Sequence, residues 1–160
     1  MSKKTAFFVI VAMSVLGLLS VFAPLVVMMG KGSSFLSITG ARMSAKMFAP
    51  VISWISLCYV LMALVLAGGI LGLAGRAFKR ALVLVSGAGT VLVPLVIISF
   101  PTLVWFDVSR KKSLFDAILF FFKDPQRVMK SINAGQGIAL PLLATCFAVC
   151  FVLSLIPKRP

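Results

Sequence analysis

Cysteine thiols are the side chains in this sequence that could most readily carry out chemistry. Cys146 and Cys150 are four residues apart, which places both on one face of a helix, and a third thiol is at Cys58. Such a pair could form a redox couple or begin a metal site, but a metal site would need histidine or acidic partners. All three lie within apolar stretches, and their odd number argues against a disulfide framework. We therefore expect them to be small packing residues.

Other side chains suited to catalysis are scarce. The sequence has no histidine and no glutamate, and its acids are Asp107, Asp116 and Asp124. Without histidine there is no Ser-His-Asp or Cys-His set, and no GxxxxGK[ST] phosphate loop occurs. Ion coupling within a membrane usually needs an ionisable side chain among the helices, and the apolar stretches contain none away from their ends. We predict a protein that is not an enzyme and that uses no cofactor and no metal.

Four long apolar stretches would position any such site. Of the 160 residues, 61% are hydrophobic and 12% are charged, against about 25% charged in a soluble domain. A bilayer core requires about 20 apolar residues as a helix, and backbone in lipid must form its hydrogen bonds internally. We predict spanning helices over residues 5–29, 47–75, 81–106 and 137–156. The first stretch is too long for a signal peptide, so we expect it to be retained, with a kink at Pro24.

The connectors determine how these helices are arranged. Residues 76–80 form so short a link that the second and third helices must be antiparallel neighbours. The longer connectors, 30–46 and 107–136, then lie together on the other side of the membrane. The predicted fold is all-α: a single membrane domain over residues 1–160, built as an integral membrane four-helix bundle.

The last connector contains a further helical pattern. Residues 113–123 read SLFDAILFFFK, with apolar side chains at the spacing of an amphipathic helix. We predict a short interfacial amphipathic helix here, and the alternative is an ordinary loop whose apolar residues pack on the bundle. Asp124 and Pro125 predict the N-cap and first residue of a second short helix over residues 126–132.

Positive charge is concentrated beside the apolar stretches. Lys and Arg number 16 against 3 acids, for a net charge of +13. This placement favours a lipid bilayer with anionic headgroups as partner, with Arg110, Lys111 and Lys112 as headgroup ligands, and no nucleic-acid recognition motif is present. The basic residues at the two termini and in the 76–80 link crowd against helix ends, where the positive-inside effect is strongest. The two longer connectors carry 9 of the 16 Lys and Arg residues, and by count alone this slightly favours the reverse orientation. Because the other 7 crowd against helix ends, we predict that both termini are cytoplasmic.

Small residues line the second and third predicted helices. Gly68 and Gly72 form a small-xxx-small pair, as do Ala63 and Ala67, and Gly87 lies near the start of the third helix. Such residues let helix backbones approach closely in a membrane. We predict helix packing at Gly68, Gly72 and Gly87. Packing of the second and third helices against each other is the simpler interpretation, and a docking face for another protein is the alternative.

The layout as a whole resembles a known class. Residues Phe22–Val26, FAPLV, close the first predicted helix, and Ala134–Gly137, AGQG, open the fourth. With a long first outside loop and a tight basic inside hairpin, the chain resembles the tetraspan, claudin-like topology and small bacterial inner-membrane proteins built on the same plan. The W-GLW-C-C signature of animal claudins is absent from residues 30–46. The resemblance implies a non-catalytic membrane scaffold in the bacterial inner membrane.

Three functions are compatible with these patterns. The first is an accessory or structural subunit of a membrane complex, whose partner is another membrane protein or a second copy of this chain. The second is a small transporter or channel subunit that acts as an oligomer, with hydroxyl side chains along a narrow path. The third is a lipid-interacting membrane protein. The candidate path residues are Ser53, Ser56, Ser86, Thr90 and Thr145.

Overall fold

The computed structural model describes seven parts of the chain and is mostly helical. Five helices and two strands follow one another in chain order. The helices are α1 (Lys3–Leu19), α2 (Arg42–Leu73), α3 (Lys79–Val104), α4 (Leu114–Lys123) and α5 (Ala139–Leu155), and strands β1 (Pro24–Met28) and β2 (Lys31–Ser34) lie between α1 and α2. The described residues are 3–28, 31–34, 42–75, 79–104, 114–127, 130 and 137–155.

Among the described residues, three helices are long and apolar enough to cross a membrane. They cover Lys4–Phe22, Ile52–Leu73 and Lys79–Ser99, in agreement with the first three predicted spans. The fourth, α5, is apolar but has 17 residues. At 1.5 Å per residue α5 is about 25 Å long, slightly less than the hydrocarbon core of about 30 Å.

The end of α1 departs from the sequence-based expectation. We predicted a helix to residue 29 with a kink at Pro24, but the α-helix ends at Leu19, a 3-10 turn covers Ser20–Phe22, and a strand begins at Pro24. Proline removes a backbone donor and disfavours helical backbone in the residue before it. Ala23 is accordingly extended, with φ −74° and ψ 155°. The prediction of a continuous kinked helix is wrong, and the fold is not purely α-helical.

The β-hairpin closes one end of the helical core. β1 and β2 pair antiparallel, with Met28 opposite Lys31 and Pro24 opposite Ser34, and an irregularity between Pro24 and Val26. Leu25 and Val26 are buried in the core. The Leu25 carbonyl of β1 also accepts a hydrogen bond of 2.9 Å from the backbone N–H of Gly137, which lies just before α5. A methyl group at Gly137 would overlap the Pro24 carbonyl, so only glycine allows this approach.

Four helices pack in an antiparallel ring. α1 and α3 each pack on both α2 and α5. In three of the four pairs, residues later in one helix contact residues earlier in the other, so those pairs are antiparallel, and α2 and α3 must then be antiparallel as well. The contacts are Phe7 with Gly72 and Ser20, just after α1, with Tyr59 (α1–α2), Ser14 with Cys150 and Gly17 with Cys146 (α1–α5), and Gly89 with Phe147 and Ser86 with Ser154 (α3–α5).

Local sequence signals account for the ends of two helices. Gly75 adopts a left-handed φ of 81° after the last turn of α2, and its N–H donates to the Gly72 carbonyl at 3.2 Å.

Helix α4 agrees closely with the predicted amphipathic segment, and it packs on α3. After it, the Asp124 Oδ1 atom accepts a hydrogen bond of 3.3 Å from the Arg127 N–H, which confirms the predicted N-cap. Residues 125–127 are helical, and most of the predicted 126–132 helix lies outside the described residues.

Candidate functional site

The thiols lie in the interior, at contacts between helices. Cys58, Cys146 and Cys150 are all unpaired and fully buried. The Cys150 Sγ atom lies 3.8 Å from the Ser14 hydroxyl and 3.8 Å from the Ile10 carbonyl, both on α1. Across the parts of the chain that the structure describes, His, Cys, Asp and Glu side chains nowhere gather in a group of three that could hold a metal. The positions of the thiols agree with a packing role.

Buried hydroxyls link the helices of the ring in pairs. Ser20 donates to the Gly17 carbonyl at 2.6 Å, so its single proton is used, and the Tyr59 hydroxyl on α2 must be the donor in their 3.2 Å contact. In the same way Ser14 donates to the Ile10 carbonyl at 2.7 Å. The Cys150 S–H group is therefore the donor toward Ser14 or Ile10. These bonds join α1 to α2 and to α5.

The contact between α3 and α5 is of a different kind. Ser86 donates to the Leu82 carbonyl at 2.6 Å and Ser154 donates to the Phe151 carbonyl at 2.7 Å. Both protons are therefore used within their own helices, and the two hydroxyl oxygens meet at 3.5 Å without a strong donor between them. We conclude that packing of the Phe147 and Phe151 side chains on α3, rather than hydrogen bonding, holds α5 against α3.

Glycines on three helices receive large side chains from their neighbours. A methyl group at Gly72 would overlap the Phe7 ring of α1, and one at Gly89 would overlap the Phe147 ring of α5. A methyl at Gly87 would lie 3.0 Å from the ring of Phe151. Each ring thus packs directly over a helix backbone, which gives the close van der Waals contact on which helix association in membranes depends.

Of the three predicted helix-packing residues, one has the expected partner and two do not. A methyl at Gly68 would lie 3.0 Å from the Leu82 Cδ1 atom, so this residue does lie between α2 and α3. Gly72 instead faces α1, and Gly87 faces α5. Sequence proximity favoured the α2–α3 pair, whereas the partners of Gly72 and Gly87 are more than 60 residues away in the chain. The Ala63 and Ala67 pair is exposed on the outer side of α2.

Ser99 differs from the other buried hydroxyls. It lies fully buried on α3, and its Oγ atom is the single buried side-chain N or O atom without a hydrogen-bond partner in the described part of the chain. Nothing in the sequence distinguishes Ser99 from Ser86, which lies on the same helix and donates its hydroxyl proton to the Leu82 carbonyl. A buried hydroxyl without a partner is destabilising.

The hydroxyls predicted to line a transport path do not converge within one copy of the chain. Ser86 is buried, and Thr90 donates to the Ser86 carbonyl at 2.8 Å. Ser53 and Thr145 are exposed on two other helices, and Thr145 donates to the Pro141 carbonyl at 2.9 Å. Arg110, Lys111 and Lys112, the predicted headgroup ligands, lie outside the described residues.

No family model matches this chain, and no curated protein and no solved structure is significantly similar to it. The geometry of the bundle and of its surface must therefore carry any functional conclusion.

We expect Gly72→Ala to destabilise the protein, because the added methyl overlaps the Phe7 ring; overpacking of this kind costs about 1–3 kcal/mol. Phe7→Leu in the same chain should recover part of the loss. The matched control is Gly68→Ala, where the methyl meets the end of a flexible leucine and the change should be small. Thermal unfolding in detergent measures all three. A Gly72→Ala protein as stable as the wild type would contradict the packing described for α1 and α2.

We expect Ser99→Ala to leave the stability unchanged or to raise it by about 1 kcal/mol, because it removes a buried hydroxyl that has no partner. Ser20→Ala is the control, since it removes a hydroxyl that accepts from Tyr59, and it should lower the stability. The measurement is the free energy of unfolding of each variant in detergent, compared with that of the wild type. Equal losses in the two variants would show that Ser99 forms a stabilising hydrogen bond.

Proposed function

We propose that this protein is a non-catalytic integral membrane protein that crosses the bilayer four times and serves as an accessory or structural subunit of a membrane complex. The observation that carries the proposal is the interior of the ring. Its buried side chains are mostly aliphatic, phenylalanine rings pack over glycine backbones, and its hydroxyls mostly bond to their own helices. Residues 5–29, 47–75, 81–106 and 137–156 contain no charged side chain. Such an interior provides rigidity rather than a reaction centre or an ion pathway.

A fourth crossing by α5 is supported by its packing. α5 packs on both α1 and α3, which are long enough to span, and it runs antiparallel to both. Its buried residues include Leu143, Phe147 and Cys150, while Val152 and Leu155 are exposed, so apolar side chains cover its inner and outer sides alike. A helix that is apolar all round suits a membrane span.

In this proposal both termini are cytoplasmic and the membrane is the inner membrane of a bacterium. The antiparallel ring brings the start of α1, the end of α2, the start of α3 and the end of α5 to one end. That end carries Lys3, Lys4, Lys79 and Arg80 within a few residues of the helices, as expected for a cytoplasmic side. The hairpin lies at the opposite end of the ring.

Reporter fusions test this topology. A reporter that is active only in the cytoplasm should be active when fused before Met1 and also when fused after Pro160, because four crossings return the chain to its starting side. A reporter inserted between Gly30 and Lys31 should be inactive. Activity at one terminus alone would exclude four crossings, and activity at the Gly30–Lys31 insertion alone would reverse the orientation.

The outer side of α2 is the surface that the proposal assigns to a partner. Gly68, Gly72 and Gly87 are occupied by neighbouring helices of the same chain. The small-residue pair left on the outside is Ala63 and Ala67. Two alanines one turn apart allow a second helix to approach closely, whether it belongs to another membrane protein or to a second copy.

We expect Ala67→Leu to weaken association with the partner, because the larger side chain holds the second helix away from the α2 surface. The control is Ala88→Leu, which makes the same change at an exposed alanine on α3. The measurement is co-purification from mild detergent at native expression, followed by determination of the mass of the complex. A wild-type protein that is strictly monomeric with no co-purifying partner would contradict an accessory role, and equal loss in both variants would exclude the Ala63–Ala67 surface.

A further inference from the structure

Helix α4 exposes an apolar surface at one side of the ring. Phe115 is 67% exposed, Leu119 is 52% exposed and Phe122 is 74% exposed. At 3.6 residues per turn these three positions fall within an arc of about 60°. We call them the α4 apolar face. Ile118, at the edge of that arc, is half-buried.

The position of α4 places this face beside the membrane-spanning ring. α4 packs on α3, whose residues Lys79–Ser99 are long and apolar enough to span. With 10 residues, α4 is about 15 Å long and cannot itself cross a bilayer. Its C-terminal end is followed at once by the Asp124 cap, so it is a defined element rather than a continuation of a span. A short amphipathic helix held against a spanning helix suits the membrane interface.

Cationic side chains lie at the C-terminal end of α4 and just after it. Lys123, Arg127 and Lys130 are all exposed and lie within eight residues after Phe122. Residues 114–130 carry these three cations against two acids, Asp116 on α4 and Asp124, and the Asp124 Oδ1 atom accepts the Arg127 N–H. The surface therefore combines exposed aromatic rings with an excess of positive charge. A second copy of the same surface would bring its cations against these cations, whereas lipid phosphates would complement them.

We propose that α4 lies in the headgroup layer of the bilayer, with the α4 apolar face directed toward the acyl chains and Lys123 and Lys130 binding the phosphates of anionic phospholipids. The inference requires that the chain is embedded in a membrane, as proposed above, but it does not depend on the accessory role. It adds a lipid-binding surface and names the class of lipid.

Depth-dependent fluorescence quenching in proteoliposomes tests the position of α4. The full chain, with Trp54→Phe and Trp105→Phe as background, carries Phe115→Trp or, in a second protein, Leu119→Trp. We expect lipids brominated near the headgroup to quench each probe roughly twofold more than lipids brominated near the chain ends, because interfacial helices bury only about 5–10 Å deep. Val91→Trp is the control, since Val91 is exposed near the middle of α3 and should be quenched best by the deep bromines.

The outcomes separate this inference from the proposed function. If Val91→Trp is quenched by no lipid, the chain is not embedded as proposed and both ideas fail. If Val91→Trp behaves as expected but both α4 probes are quenched by aqueous iodide and by no lipid, α4 lies in water and the present inference alone fails. If the α4 probes are shielded from lipid and from iodide, a protein surface covers the face and the lipid assignment is overturned.

A second arm tests the lipid charge. In bilayers that mix phosphatidylglycerol and phosphatidylcholine, only one of the two is brominated in each sample, and the ratio of quenching gives the preference of the Phe115→Trp probe. We expect Lys123→Gln to reduce the preference for phosphatidylglycerol about fivefold, which corresponds to the loss of one basic residue near an anionic surface. Lys4→Gln, at the other end of the ring, should leave it unchanged. Equal preference for the two lipids before any substitution would overturn the anionic assignment.

Discussion

A backbone group that enters hydrocarbon must find its hydrogen-bond partner within the protein, and the helices that are long and apolar enough to span a membrane meet this requirement. The requirement favours long uninterrupted helices such as α2 and α3. Where Pro24 ends the first helix, the chain forms strand pairs with residues 31–34 instead of an open loop. The outer edge of that strand is completed by the Gly137 N–H. Serine and threonine hydroxyls meet the same requirement by donating to carbonyls of the preceding turn, as Ser14, Ser86 and Thr145 do.

Once the backbone is satisfied, shape complementarity between helices determines how the ring closes. Lipid chains are as apolar as leucine, so helices in a membrane gain little from simple burial of apolar side chains. The ring uses pairs of very large and very small residues, with Phe7 over Gly72 and Phe147 over Gly89. The polar contacts are weaker, because Ser86 and Ser154 have both used their protons locally. The result is a ring of helices in which Gly72 and Gly89 face neighbouring helices and many aliphatic side chains are exposed on the outside.

Much of this structure could be predicted from local sequence patterns. The lengths of the apolar stretches predicted the three helices that can span, and the spacing of Phe115, Ile118 and Phe122 predicted α4. Asp124 and Pro125 predicted a helix start because capping depends on a few adjacent residues. These signals are sufficient because each depends on residues that are close together in the chain.

The features that could not be predicted depend on distant partners. Pro24 was interpreted as a kink because prolines are common in membrane helices, and the partner strand Lys31–Ser34 carries no strand pattern of its own. The partner of Gly72 is Phe7, which lies more than 60 residues earlier in the chain, whereas spacing alone favours the neighbouring α3. Ser86 donates to a backbone carbonyl and Ser99 does not, although both are serines on α3. The difference depends on local helix geometry, which the residue type does not specify.

The bond between the Gly137 N–H and the Leu25 carbonyl joins parts of the chain that are separated by more than 100 residues. During synthesis, α1 and the hairpin are made long before residues 137–155. Until those residues have been made, the Leu25 carbonyl and the inner side of α1 lack their partners from this later part of the chain. The ring of four helices therefore closes late, because its order of packing depends on the element made last of the four.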